Sequence, residues 1–148
     1  MSMTGVDTFD TTIHKTQIWL NDLMQELHWD DRYKAYIALR TTLHALRDRL
    51  TTEEAAHLGA QLPMLIRGLY YEGWTPAGKP GQERHKEEFL APIRGHFQND
   101  RNVDPDHVVR AVFRVLAKRV TDGEIDDVKS ILPQDIANLW PETVVPSR

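Results

Sequence analysis

The segment Thr51-Thr52-Glu53-Glu54-Ala55-Ala56-His57-Leu58-Gly59-Ala60-Gln61-Leu62-Pro63 sets the architecture, because its frame returns seventy residues later in Thr121-Asp122-Gly123-Glu124 and Leu132-Pro133. Each stretch opens with the S/T-x-x-E spacing of a capping box. The threonine hydroxyl accepts from the backbone N–H of the third residue, and the glutamate reaches back to the cap. Each then ends near a proline, which forfeits no hydrogen bond at the first position of a helix. A short helix is therefore expected after each box, and a further one from Pro63 and from Pro133.

The same offset of 70 extends in both directions. It aligns Trp19 with Phe89, Leu20 with Leu90, Leu23 with Ile93, Leu43 with Phe113, Leu46 with Leu116, and Leu50 with Val120. It also aligns Ile66 with Ile136 and Tyr70 with Trp140, so residues 13–72 match 83–142 without a gap. Tyr36, Leu39, Leu43, Leu46 and Leu50 step by 3, 4, 3 and 4, an apolar stripe on one helix face. Val109, Phe113, Leu116 and Val120 form its counterpart, opened by Asp104 as N-cap and Pro105 at the first helical position. Pro92 lies inside the first helix of the second copy and predicts a kink or break between Glu88 and Pro92. No segment alternates with period two as a strand does.

These signals predict an all-α protein, a tandem duplication of a four-helix unit with about eight helices in all. The expected organisation is a disordered tail over 1–8, unit one over 9–74, a Gly/Pro linker over 75–82, unit two over 83–142 and a tail over 143–148.

Bulk properties narrow the function. There is no cysteine among the 148 residues, which excludes disulfides, thiolate metal sites and cysteine nucleophiles. No run approaches the ~18 apolar residues of a membrane span, and the start is polar and acidic rather than signal-like. A cytoplasmic location is expected. Net charge is −4, with −3 up to Thr75 and −1 after it, so neither unit has the basic excess of a phosphate-neutralising module. No nucleic acid and no membrane partner is expected.

Several segments together resemble a known family. They are Gln61 to Trp74, Phe9 with Lys15-Thr16, Trp29-Asp30-Asp31-Arg32, Glu88-Phe89-Leu90 and Ala111 to Leu116. Over nearly the whole chain they are similar to the bacterial domain of unknown function 2267. The resemblance implies an all-helical bacterial protein, considered alongside stress-related genes, with no established activity and no catalytic or ligand residues to carry over.

The residues suggest little chemistry of their own. Glu54-x-x-His57 has the spacing of di-iron bundles, which need two such motifs; the second unit offers Glu124 with Asp127 instead. Glu54 is read as occupied by its capping box, and no cofactor or metal is expected. No serine sits in a G-x-S-x-G elbow. Thr41, Thr42 and His44 are too close along one helix to face each other. Gly78-Lys79-Pro80-Gly81 lacks the frame of a phosphate loop. No enzyme is expected. The recurring Arg40/Arg110 and Arg49/Arg119 favour a structural role for these arginines.

Differences between the units carry the functional expectation. Unit one is apolar where unit two is polar at Ile13/Glu83, Ile18/Glu88, Met24/Arg94, Tyr36/Asp106, Ile37/His107, Met64/Gln134 and Leu65/Asp135. The reverse holds at Thr42/Val112 and Gln61/Ile131, while Val108 and Val115 are larger than Ala38 and Ala45. Such an excess either docks the units together or meets a partner or second subunit, since exposed apolar patches commonly bind something. Met64, Leu65, Arg67, Tyr71 and Trp74 are the candidate interaction or ligand surface. The reading is a non-enzymatic protein-interaction or structural module, with a protein partner or self-association. The alternative is a small-molecule- or metal-binding regulator using the groove between the units.

Overall fold

The computed structural model describes residues 2–76 and 85–142; the linker from residue 77 and the tail 143–148 lie outside the described residues. The described residues form eight helices and no strand. They are α1 (Asp7–Leu27), α2 (Arg32–Arg47), α3 (Thr52–Ala60), α4 (Met64–Tyr71), α5 (Lys86–His96), α6 (Pro105–Arg119), α7 (Asp122–Ile131) and α8 (Gln134–Ala137). None is long and apolar enough to cross a membrane.

Local chemistry explains the helix ends. Asp31 caps α2 by accepting from the Lys34 N–H at 3.1 Å, and Asp104 caps α6 ahead of Pro105. Thr51 and Thr121 each accept from the N–H three residues on, at 3.1 and 3.3 Å. That is half of a capping box. α1 starts at Asp7, inside the span read as tail, and Ser2 and Thr4 fold back to donate to the Asp10 carboxylate. The helix ends at His28, left-handed at φ 57°, whose N–H returns to carbonyls of the last turn.

The break expected at Pro92 does not occur: α5 runs from Lys86 to His96. Proline removes the bond to the carbonyl four residues back. That carbonyl belongs to Glu88, and both residues are exposed, so water can replace the lost donor.

The halves share a core. α1 packs on α2 and α6, α2 also on α4, α5 and α6, and α3 on α7. Phe113 stacks on Trp140 with ring centroids 4.0 Å apart and meets Phe89 at 6.2 Å. Buried positions recur at the offset of 70: 38/108, 39/109, 42/112, 43/113, 46/116, 54/124, 55/125, 58/128, 66/136 and 70/140. Polar links reinforce the packing between halves. Arg119 pairs with Asp22 at 2.7 Å, and Gln61 both accepts from the Thr121 N–H at 2.9 Å and donates to its hydroxyl at 3.1 Å. Val108, Val112 and Val115, the larger residues of unit two, are all buried, so that part of the asymmetry is spent inside the fold.

Candidate functional site

The remaining asymmetry is on the surface. α4 lacks a cap of its own because Pro63 precedes it, and Thr12 on α1 supplies one. The buried Thr12 hydroxyl accepts from the Leu65 N–H at 2.8 Å, fixing the start of α4 beside α1. Between these helices runs a groove of about 730 Å³, bordered by Phe9, Ile13, Tyr36, Met64 and Leu65. At one end Glu72 lines it, ion-paired with Arg40 at 2.6 Å. Met64, Leu65 and Phe9 are 48%, 50% and 50% exposed. The other large exposed apolar side chains among the described residues are Met3, Val6 and Tyr33, all in the first half. Tyr33 lies against Tyr36 with ring centroids 5.6 Å apart.

The candidate residues therefore divide. Met64 and Leu65 stand on the groove. Arg67 turns toward α3, donating to the carbonyls of Gly59 at 2.9 Å and Leu62 at 3.0 Å, where it satisfies a helix C-terminus. Tyr71 packs between Tyr70 and Trp74, at 5.0 and 5.3 Å, over the bare backbone of Gly59. A Cβ at Gly59 would meet the Tyr71 hydroxyl, so a larger residue there has to displace the Tyr71 ring. Tyr71 and Trp74 are half-buried and do not line the groove. Phe9 does line it, though nothing in the apolar spacing of α1 had marked it.

Arg47, Arg110 and Arg114 are engaged within the chain. Arg47 is buried and donates to the carbonyls of Tyr70 and Glu72, at 2.8 and 2.9 Å. Arg110 pairs with Asp106, and Arg114 lies 3.7 Å from Glu26. His44 donates through Nε2 to the Leu69 carbonyl at 2.8 Å, forming no dyad with Thr41 or Thr42. Its burial lowers its pKa.

A second constellation lies where α3 meets α7, and here the expectation for Glu54 is corrected. Glu54 is neither a cap nor a solvated surface residue. It is 8% exposed, and Glu124, its counterpart at the offset of 70, is 7% exposed. The Thr121 N–H that Glu124 was expected to take is held by Gln61, which leaves the carboxyl free to turn inward. The two carboxyls and the His57 ring nitrogen come within 4.8 Å of one another, with His57 Nδ1 3.8 Å from Glu54 Oε2. Oε2 of each glutamate is buried and accepts from no N–H or hydroxyl among the described residues. Burial pushes the Glu124 carboxyl up to about 8, and the facing Glu54 and then Asp127 add to the effect. Tyr70 offers no donor, since its hydroxyl gives its proton to the Ala55 carbonyl at 2.8 Å.

Comparison with protein families finds a match over residues 16–139 to the one described as Uncharacterized conserved protein (DUF2267). Among curated proteins there is no match.

Proposed function

The chain belongs to the DUF2267 family, whose description assigns no activity, and we propose that it is a non-enzymatic interaction module that pairs with a second copy of itself through the α1–α4 face. The observation that carries this reading is the placement of its exposed apolar residues. The large exposed ones among the described residues, Met3, Val6, Phe9, Tyr33, Met64 and Leu65, are all in the first half. At positions 64 and 65 the second half has Gln134 and Asp135. An apolar patch kept on one half and replaced by polar residues on the other is not a requirement of the fold that both halves share.

A second copy suits this face for two reasons. Protruding side chains such as Phe9 and Tyr33 and a groove able to receive them are on the same patch, as an isologous two-fold contact requires. The patch also occurs once among the described residues, so pairing through it closes at a dimer instead of propagating. Methionine at the rim adapts to an uneven partner surface. In this reading the chain is a duplicated helical unit in which one copy keeps the association face.

The test is sedimentation equilibrium of the wild type and of Met64→Gln/Leu65→Asp, which installs the counterparts from the second half. The reading expects twice the 17.1 kDa chain mass for the wild type and the single-chain mass for the variant, with helicity retained. A wild type that stays monomeric at high micromolar concentration overturns it, and the face would then belong to a different protein partner.

A further inference from the structure

We propose that Glu54, His57 and Glu124 together bind one divalent transition-metal ion, which clips α3 to α7 and so joins the two halves of the chain. The junction of α3 and α7 poses an electrostatic problem. Two carboxyls, each more than nine-tenths buried, face one another, and each has an Oε2 that accepts from no N–H or hydroxyl among the described residues. The basic group placed beside Glu54 is the His57 imidazole, with Nδ1 3.8 Å from Glu54 Oε2. Buried carboxylates without a counter-charge are costly, and two facing each other more so.

A shared proton is one remedy, and it neutralises a single charge. A divalent cation neutralises both and accounts for a third feature that a proton leaves unexplained. His57 stands at i+3 from Glu54 on the same face of α3, its ring nitrogen turned to the pair. Two carboxylate oxygens and one imidazole nitrogen form a donor set for zinc or another first-row divalent ion, with a position left for water. Metal–ligand bonds of about 2.0–2.2 Å in a tetrahedral site hold ligating atoms about 3.3–3.6 Å apart. The present separations, within 4.8 Å, need closing by up to about 1.5 Å, and His57 is exposed enough to move.

The geometry also has a clear origin in the chain. Each half brings its capping-box glutamate to the junction, and in each only the threonine side of the box is made. The residue at i+3 differs, His57 in the first half and Asp127 in the second, so the imidazole is supplied once.

The experiment uses the full chain stripped with a chelator and then titrated with Co²⁺, followed by visible absorption, and with Zn²⁺, followed by calorimetry in two buffers of different ionisation heat. One Co²⁺ per chain should bind with an absorption band that Zn²⁺ abolishes. Proton release should accompany Zn²⁺ binding, because the ligands must be deprotonated to hold the ion. Glu54→Gln, Glu124→Gln and His57→Ala should each weaken binding by at least about tenfold, the lower end of what even outer-shell partners contribute. Absence of both signals in the wild type overturns the proposal, as does unchanged affinity in the variants, which places the metal elsewhere. If a glutamine variant loses its helicity, His57→Ala decides alone: its side chain is exposed, so its effect on affinity does not pass through folding.

Discussion

Replacing Gly59 by alanine tests how the aromatic group beside the linker is built. Position 59 is helical, near the C-terminal end of α3, where Ala in place of Gly is worth no more than about 1 kcal/mol of helix stability. The opposing effect is steric. The new Cβ would lie 2.3 Å from the Tyr71 hydroxyl oxygen, 2.7 Å from its Cζ and 3.1 Å from Tyr70 Cε2. The Tyr71 ring has little room to yield, since Tyr70 holds one side at 5.0 Å and Trp74 the other at 5.3 Å. Overpacking of this kind costs about 1–3 kcal/mol. The clash wins, leaving Gly59→Ala less stable by about 1–2 kcal/mol. For a domain of this size that lowers the thermal midpoint by roughly 3–6 °C. Circular dichroism melts of the two single variants and the double variant with Tyr71→Ala complete a cycle. In the Tyr71→Ala background the same glycine replacement should become neutral or stabilising. If Gly59→Ala raises the midpoint in the wild-type background, the Tyr71 ring does not rest on this helix and the reasoning fails.

Two further outcomes follow from single contacts. Thr12→Val keeps the shape but removes the hydroxyl that accepts from the Leu65 N–H at 2.8 Å. Loss of a cap of this kind costs about 1 kcal/mol, read in chemical denaturation, with protection of the α4 amides falling first in hydrogen exchange. In chelated protein the Glu124 carboxyl, raised from 4.5 to about 8 by burial and by Glu54, binds its proton more tightly folded than unfolded. That contribution is full below the ordinary value and fades as pH rises through the folded one. Stability should therefore fall by about 2 kcal/mol or more between pH 5 and pH 8 from this group. Glu124→Gln should flatten the profile, and an unchanged slope would show that Glu124 does not hold a proton there.

Much of the fold was legible because helix chemistry is local. Thr51, Thr121 and Asp104 cap where their spacing says they should, and the stripe Leu39, Leu43, Leu46 and Leu50 is buried throughout. No break occurs at Pro92 because the cost of proline depends on whether the orphaned carbonyl reaches water, which is a property of the packed helix. The groove was half legible. Met64 and Leu65 stood out against Gln134 and Asp135, whereas Phe9 precedes the aligned residues 13–72 and had no counterpart in the repeat to be compared with. Arg67, Tyr71 and Trp74 looked similar in sequence to groove residues, yet their partners, Gly59 and the α3 carbonyls, are a helix away. Glu54 and Glu124 were concealed by their own motif. A capping-box glutamate has a local acceptor role, and only tertiary structure shows that Gln61 has taken it at Thr121. The repeat held the remaining signal, since positions related by the offset of 70 can meet where the halves pack together.

The association face can be tested most directly with a single thiol, because the natural chain has no cysteine. Gly68 lies on the groove and Gly95 on α5; both are exposed, helical, and have open space where a side chain would go. Gly68→Cys and Gly95→Cys, treated with a short bis-maleimide across a dilution series, differ only in where the thiol stands. Pairing through the α1–α4 face predicts a covalent dimer from Gly68→Cys that persists on dilution to the dissociation range, and little from Gly95→Cys. Equal yields from the two, or none from Gly68→Cys while the uncoupled chain sediments as a dimer, would contradict it.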